Sequence, residues 1–197
     1  MIWWPEEIPT LEVGQIVPSQ IILRPVKPTD ADAIYSGAQD PEVPKFTTLP
    51  ANYTIDNAIN FAKNRAPERH ANRLELIFAI DARFDERDGA TNQLVQLAGI
   101  ISLHSIDFAN HRAEIGYWLV KEARNKGIGT AAVELLTEYG LMTMGFRRID
   151  ALVDNRNEAS KRLLINAGYE FEGLLKKYVT RADGSQIDMA IFAATSS

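Results

Sequence analysis

The sequence predicts an α/β (α+β) fold, a mixed sheet with helices on its faces. Three observations carry this reading. Apolar, β-branched runs recur along the chain; segments between them repeat apolar residues at helical spacing; and the two kinds alternate as β, α, α, β, β, β, α, β, α, β, β. With 197 residues, 46% of them hydrophobic, the chain can bury one sizeable core, expected as a single domain over residues 21–194 behind an arm over residues 1–20.

The arm carries Pro5, Pro9, Gly14 and Pro18 among acids and tryptophans, a pattern for extended chain, and Trp3 and Trp4 give it a means to dock. Ile21 to Val26 is a strand. Thr29, with Asp32 three residues on, supplies a capping-box-like start for a helix through Ile34 and Tyr35. After Pro41, Pro44 and Pro50, Thr54 caps a helix near 54–65 with Ile55, Ala58, Ile59 and Ala62 on one face. LELIFAIDA and LVQLAGIISLH form an antiparallel pair around a tip at Asp85 to Asn92, and Ala113 to Val120 is a further strand. Ile128, Ala131, Ala132, Leu135, Leu136 and Tyr139 define a helix from about 127 to 143. RRIDALV is a strand; Ala159, Leu163 and Ala167 mark a short helix stopped at Gly168, a left-handed cap. YEFEGLLKKYV and IDMAIFA close the chain as a hairpin through Ala182-Asp183-Gly184. The sequence holds no internal repeat and no low-complexity segment.

Composition excludes several classes of function. Lys and Arg number 21 against 26 Asp and Glu, a formal charge of -5 that offers no attraction to phosphate backbones or anionic lipid, so neither nucleic acid nor a membrane is an expected partner. The KNRAPERHANR run reads as a solvated helix end. Zero cysteines remove disulfides, thiolate metal sites and cysteine-bound acyl intermediates, while His70, His104 and His111 stand singly, so no metal is expected. No run approaches the roughly 20 apolar residues of a spanning helix, and acidic residues flank the first tryptophans where a signal peptide is basic. A cytoplasmic location is expected.

The chemistry concentrates at Arg124-Asn125-Lys126-Gly127-Ile128-Gly129-Thr130, between an apolar strand and the long amphipathic helix. There the first backbone N–H groups and the helix dipole make an anion site; two residues without Cβ let a phosphate approach, and Arg124 and Lys126 add positive charge. The bland alternative is a loop whose glycines only ease the turn. A Walker loop is excluded because no Lys-Ser or Lys-Thr follows the second glycine. A dinucleotide fingerprint is met in spacing by Gly127, Gly129, Ala132 and Asp150, but six residues separate Val120 from Gly127 and only a hairpin follows Ala167.

Arg124-x-x-Gly127-x-Gly129 resembles the Q/R-x-x-G-x-G/A signature of the GNAT superfamily of acetyl-CoA-dependent N-acetyltransferases. Asn157-Glu158-Ala159-Ser160, then Leu164, then Gly168-Tyr169 is similar to that family's N-x-x-[AS] helix ending in Gly-Phe or Gly-Tyr. The LRPV opening, the Ala113 to Leu119 strand and the closing hairpin resemble the branch of ribosomal-protein N-terminal acetyltransferases, over about residues 21–194. The resemblance implies a mostly antiparallel sheet of about six or seven strands, splayed at the cofactor site. It implies acetyl-CoA as co-substrate, with the pyrophosphate on the amides of Arg124, Asn125, Lys126, Gly127, Ile128, Gly129 and Thr130. The pantetheine arm would lie along Leu119 and Val120, with Asn157 contacting it or else simply capping its helix. The region from about Phe46 to Arg73 would line the acceptor side.

Direct attack by a neutral amine on the thioester needs a base and a proton donor for the thiolate. Glu114, a carboxylate on an apolar strand, is the candidate base, its alternative being a solvated outward side chain; Glu172 stands in reserve. Many family members place a tyrosine where this chain has Leu164, so the resemblance shifts the acid to Ser160, whose alternative is a local bond to backbone; Tyr117 and Tyr178 are other donors. The expected acceptor is a primary amine, on a protein N-terminus or a small molecule, and the expected state a monomer or homodimer. The rival functions are a non-catalytic acyl-CoA sensor and an NAD-dependent oxidoreductase.

Overall fold

The computed structural model describes residues 1–12, 19–84, 93–181 and 183–196. The expected strand tip at Asp85 to Asn92 and the turn residue Ala182 fall outside these. Among the described residues eight strands form one sheet: β1 (Leu11–Glu12), β2 (Ser19–Pro25), β3 (Leu76–Phe84), β4 (Gln93–Asp107), β5 (Arg112–Leu119), β6 (Arg148–Asp154), β7 (Glu170–Thr180) and β8 (Gln186–Thr195), in the spatial order β1-β2-β3-β4-β5-β6-β8-β7. Every neighbouring pair is antiparallel except β5 with β6. The sheet has one strand more than expected because the arm contributes β1, which pairs Leu11 with Leu23 and Glu12 with Ile22.

Strand alternation divides the core into two layers. On one face Leu76, Phe78 and Ile80 of β3 and Ala113 and Ile115 of β5 pack with α5 (Ile128–Glu138). On the other, Ile77 and Ala79 of β3 meet α1 (Ala31–Ala38) and a helical run made of α3 (Ile55–Asn60), a π-helical turn (Phe61–Arg65) and α4 (Ala66–Ala71). Thr54 caps this run as expected, its hydroxyl accepting from the Asn57 N–H. The buried face, however, is Ala58, Ala62 and Ala66, and Ile59 is 45% exposed. Small side chains let the helix lie close on the sheet, and the π turn carries the run past the expected end at residue 65.

Two other local expectations give way. Instead of Thr29 and Asp32, the Asp30 carboxylate holds the entry to α1, accepting from the Lys27 N–H at 2.7 Å. Arg24 fixes that carboxylate at 2.8 Å and Asp81 at 2.7 Å, an ion triad in which all three side chains are nearly buried. The stretch around Pro44, expected as irregular, contains α2 (Glu42–Phe46); a proline in the first turn lacks only an N–H that has no intrahelical partner anyway.

The arm docks where its tryptophans suggest. Trp4 is partly buried against the main core, stacked on His70 at 5.6 Å and 6.2 Å from Phe108; the His70 ring bonds the Pro5 carbonyl, and the Trp3 backbone N–H donates to the Met144 carbonyl at 2.8 Å. Trp3 itself is 51% exposed. The arm thus ties the helices of both faces together.

Candidate active site

The site forms where β5 and β6 part. Their parallel register covers only Arg112–Glu114 against Arg148–Asp150, while β5 continues to Leu119 and β6 to Asp154. Val120 N–H donates to the Ala98 carbonyl, and β5 pairs His104 with Glu114 and Ile100 with Trp118 across β4. Even-numbered β5 residues therefore turn their backbone groups to β4, and Tyr117 and Leu119 turn theirs into the gap. Such an edge receives an extended, amide-bearing ligand as it would another strand.

At the open end of the gap the chain turns through a short 3-10 segment (Lys121–Ala123) into the loop that heads α5. Asn125 (φ 58°) and Gly127 (φ 78°) are left-handed, a combination that aims successive N–H groups into one concavity. Gly127 is the N-cap and offers no side-chain acceptor, so no capping oxygen competes for the first-turn amides of Ile128, Gly129 and Thr130. A Cβ on Gly129 would stand 2.5 Å from Leu163 Cδ1 and 3.0 Å from Leu119 Cδ1, so this glycine lets α5 start against both α6 (Glu158–Asn166) and β5. A cleft of about 880 Å³ adjoins the loop, lined by Ser36, Gly37, Asp40, Val120, Arg124 and Lys126 among others.

The Arg124 side chain has partners within the chain that its sequence position did not announce. Its Nε and Nη2 donate to the Leu119 carbonyl at 3.1 and 2.9 Å, and it pairs with Asp40 at 2.8 Å. Its fork braces the loop against the end of β5, and it occupies the carbonyl of Leu119 that an extended ligand would otherwise use.

The candidate catalytic groups lie on opposite faces of the sheet. Odd-numbered Ile115, Tyr117 and Leu119 face α5, and the Tyr117 hydroxyl meets the Ser160 hydroxyl at 2.7 Å. Burial pushes Tyr117 up to about 12, so the phenol keeps its proton at neutral pH. Asn157 caps α6 by accepting from the Ser160 N–H at 3.1 Å, which realises the capping alternative. Leu164 is fully buried core. Even-numbered Glu114 faces the α1–α4 side, at the last paired position before the strands part. Burial raises its carboxyl above the ordinary glutamate value, nearby Asp150 adds to this, and the His104 charge opposes it.

The other candidates separate from this group. Glu172 forms a two-pronged ion pair with Arg148, which holds it below the usual carboxylate range, and Arg148 also binds Asp150. Tyr178 is 56% exposed on β7. His104, passed over as a lone histidine, lies 3.9 Å from Glu114 through the register of the β4–β5 hairpin. The compact DFANHR turn was the signal that pairs them. Among the described residues no group of three or more His, Asp or Glu could hold a metal ion, and no helix is long and apolar enough to cross a membrane.

A sheet that is antiparallel at every pair but one is not the doubly wound parallel sheet a dinucleotide fingerprint requires, so that reading ends here. Opened strands beside a glycine-headed helix instead define an acyl-CoA-dependent transferase. The model of the GNAT acetyltransferase domain matches residues 20–170. The chain is 30% identical over 174 residues to the uncharacterized N-acetyltransferase YoaA of Bacillus subtilis (strain 168), spanning 88% of this chain and 92% of that protein. It is 25% identical to the microcin C7 self-immunity acetyltransferase MccE, solved with acetyl-CoA and AMP, with a TM-score of 0.74 over 89% of this chain and 92% of that one. RimJ of Mycobacterium smegmatis, solved with CoA-disulfide, shares the fold at a TM-score of 0.78, 24% identity, 98% of this chain and 90% of that one. The chain belongs to the GNAT acetyltransferase family. Within it, the protein is an acetyl-CoA-dependent N-acetyltransferase.

Proposed function

We propose that the protein transfers the acetyl group of acetyl-CoA to a primary amine, on a protein N-terminus or a small molecule, by direct attack within a ternary complex. The observation that carries this reading is the parting of β5 and β6 immediately after Glu114, with a carboxylate on one face of the gap and a paired Ser160–Tyr117 hydroxyl couple on the other. A thioester lying in the gap would meet both. The 124–130 amides fit a pyrophosphate, and the Tyr117 backbone and the Leu119 N–H, which turn into the gap, fit the pantetheine amides; with the Leu119 carbonyl held by Arg124 and the Val120 N–H by Ala98, Val120 and Asn157 would meet the arm through their side chains. Residues 21–194 act as one catalytic unit, the arm serving to bind its two helical layers.

In this mechanism Glu114 accepts a proton from the attacking amine as the N–C bond forms. The C–S bond then breaks, and the departing thiolate takes a proton from Ser160, which Tyr117 replenishes through the 2.7 Å contact. Relatives named for protein acceptors support that half of the acceptor proposal: the ribosomal-protein-serine acetyltransferase of Escherichia coli (strain K12) is 32% identical over 82 residues, 42% of this chain and 46% of that protein.

The test is release of free thiol from acetyl-CoA over a panel of peptides and small amines. Glu114→Gln is expected to lower kcat by about 10²–10⁴ and Ser160→Ala by a smaller factor, both with acetyl-CoA affinity intact. A folded protein that binds acetyl-CoA but turns over no amine would replace the enzyme with the acyl-CoA sensor.

A further inference from the structure

We infer that His104 is a positioning residue that receives the proton Glu114 takes from the amine and passes it to solvent. The inference rests on Glu114 being the base, and it adds the step that readies Glu114 for the next turnover. Each acetylation leaves a proton on a half-buried carboxyl, and the groups facing that carboxyl come from two strands. From β6 comes Asp150, engaged by Arg148, which also grips Glu172. From β4 come His104 and Ser105. Of these His104 alone carries a basic ring nitrogen that can accept a proton while its other ring nitrogen is held by a neighbour.

The geometry around His104 suits the task. The β4–β5 register sets it directly across from Glu114, with Nε2 at 3.9 Å from Oε1. Its other ring nitrogen, Nδ1, lies 3.0 Å from the Ser105 hydroxyl, so a proton on Nδ1 donated to Ser105 leaves the Nε2 lone pair toward Glu114. Gly116 makes the room: a Cβ there would stand 2.9 Å from His104 Nε2. The imidazole is partly exposed and so reaches water. In the step, side-chain rotation closes the remaining distance, the Glu114 O–H bond breaks, and an Nε2–H bond forms. The resulting imidazolium pairs with the restored carboxylate and releases a proton to water.

The experiment compares pH–rate profiles of the wild type, His104→Ala, Gly116→Ala and Glu114→Gln, with acetyl-CoA affinity measured for each. His104→Ala is expected to lower the plateau kcat at least tenfold, to leave acetyl-CoA affinity within twofold, and to regain rate when imidazole is added. The acid limb should move to higher pH, because the imidazolium charge that opposes the rise in Glu114 is gone. Gly116→Ala, which pushes the ring aside, should reproduce the loss while keeping the histidine. A normal plateau in His104→Ala, or a loss that imidazole does not restore, overturns the inference. Should Glu114→Gln retain full turnover, the base assignment itself falls; an inactive Glu114→Gln beside a normal His104→Ala removes the relay alone.

Discussion

Gly129→Ala tests whether the head of α5 is locked in place. The added methyl would meet Leu163 Cδ1 at 2.5 Å and Leu119 Cδ1 at 3.0 Å. Both atoms end flexible side chains, but both residues pack against the main core, so relief requires rotamer changes in a filled layer. Overpacking of this kind costs typically ~1–3 kcal/mol; at about 2 kcal/mol, Tm falls by about 4–8 °C for a chain of this size. Leu163→Ala in the same background removes the nearer obstacle, and the double mutant should recover stability, with a coupling energy of about 1 kcal/mol or more in denaturant titrations. Gly168→Ala serves as the control, since its Cβ meets nothing within 4 Å and only its φ of +83° opposes the change. If Gly129→Ala costs under about 0.5 kcal/mol and adds independently to Leu163→Ala, the close approach is not what requires glycine there.

Glu114→Gln should stabilise the fold at neutral pH even as it stops turnover. A carboxyl raised in the folded state supports stability only below the ordinary value near ~4.3, and that support is lost as pH rises through its folded value, whereas Gln has no such loss. Asp154 has the opposite sign: burial alone would raise it, but Arg156 and then Arg181 hold it low, so its stability contribution is present above about pH 3.9 and disappears on further acidification. Asp154→Asn should flatten the acid end of the stability profile. Arg24→Ala strands the Asp30 and Asp81 carboxylates in a nearly buried site and should cost ~3–5 kcal/mol in denaturant titrations. Trp4→Ala should cost about 1–3 kcal/mol, less than a fully buried tryptophan, and release the arm to proteolysis; unchanged stability would show that the arm rests on the domain without holding it.

Much of this molecule was legible in its sequence because the signals were local. The Thr54 cap, the left-handed Gly168 and the alternation that sends Leu76, Phe78 and Ile80 to one layer and Ile77 and Ala79 to the other follow from neighbouring residues. What escaped was set by distant partners. Asp30 was invisible as a cap because Arg24, across the strand end, selects it over Thr29. The partners of Arg124 were not legible because nothing nearby in sequence announces Asp40 or the Leu119 carbonyl. Ile59 matched the helical period, yet close packing on the sheet favoured the alanine stripe. Tyr117 and Ser160, forty-three positions apart, meet only because α6 folds back over the gap.

Beyond Glu114 and Asp150 no described rung of the ladder joins β5 to β6, so the sheet can be approached there from both faces. A donor seated along the α5 face and an acceptor arriving from the α1–α4 face would approach from opposite sides and need share no entrance, so neither substrate must leave for the other to bind. In the proposed ternary complex a tethered inhibitor joining both halves would have to be threaded, its linker no thicker than an extended chain, since adjacent strands stand only about 4.8 Å apart where the opening begins.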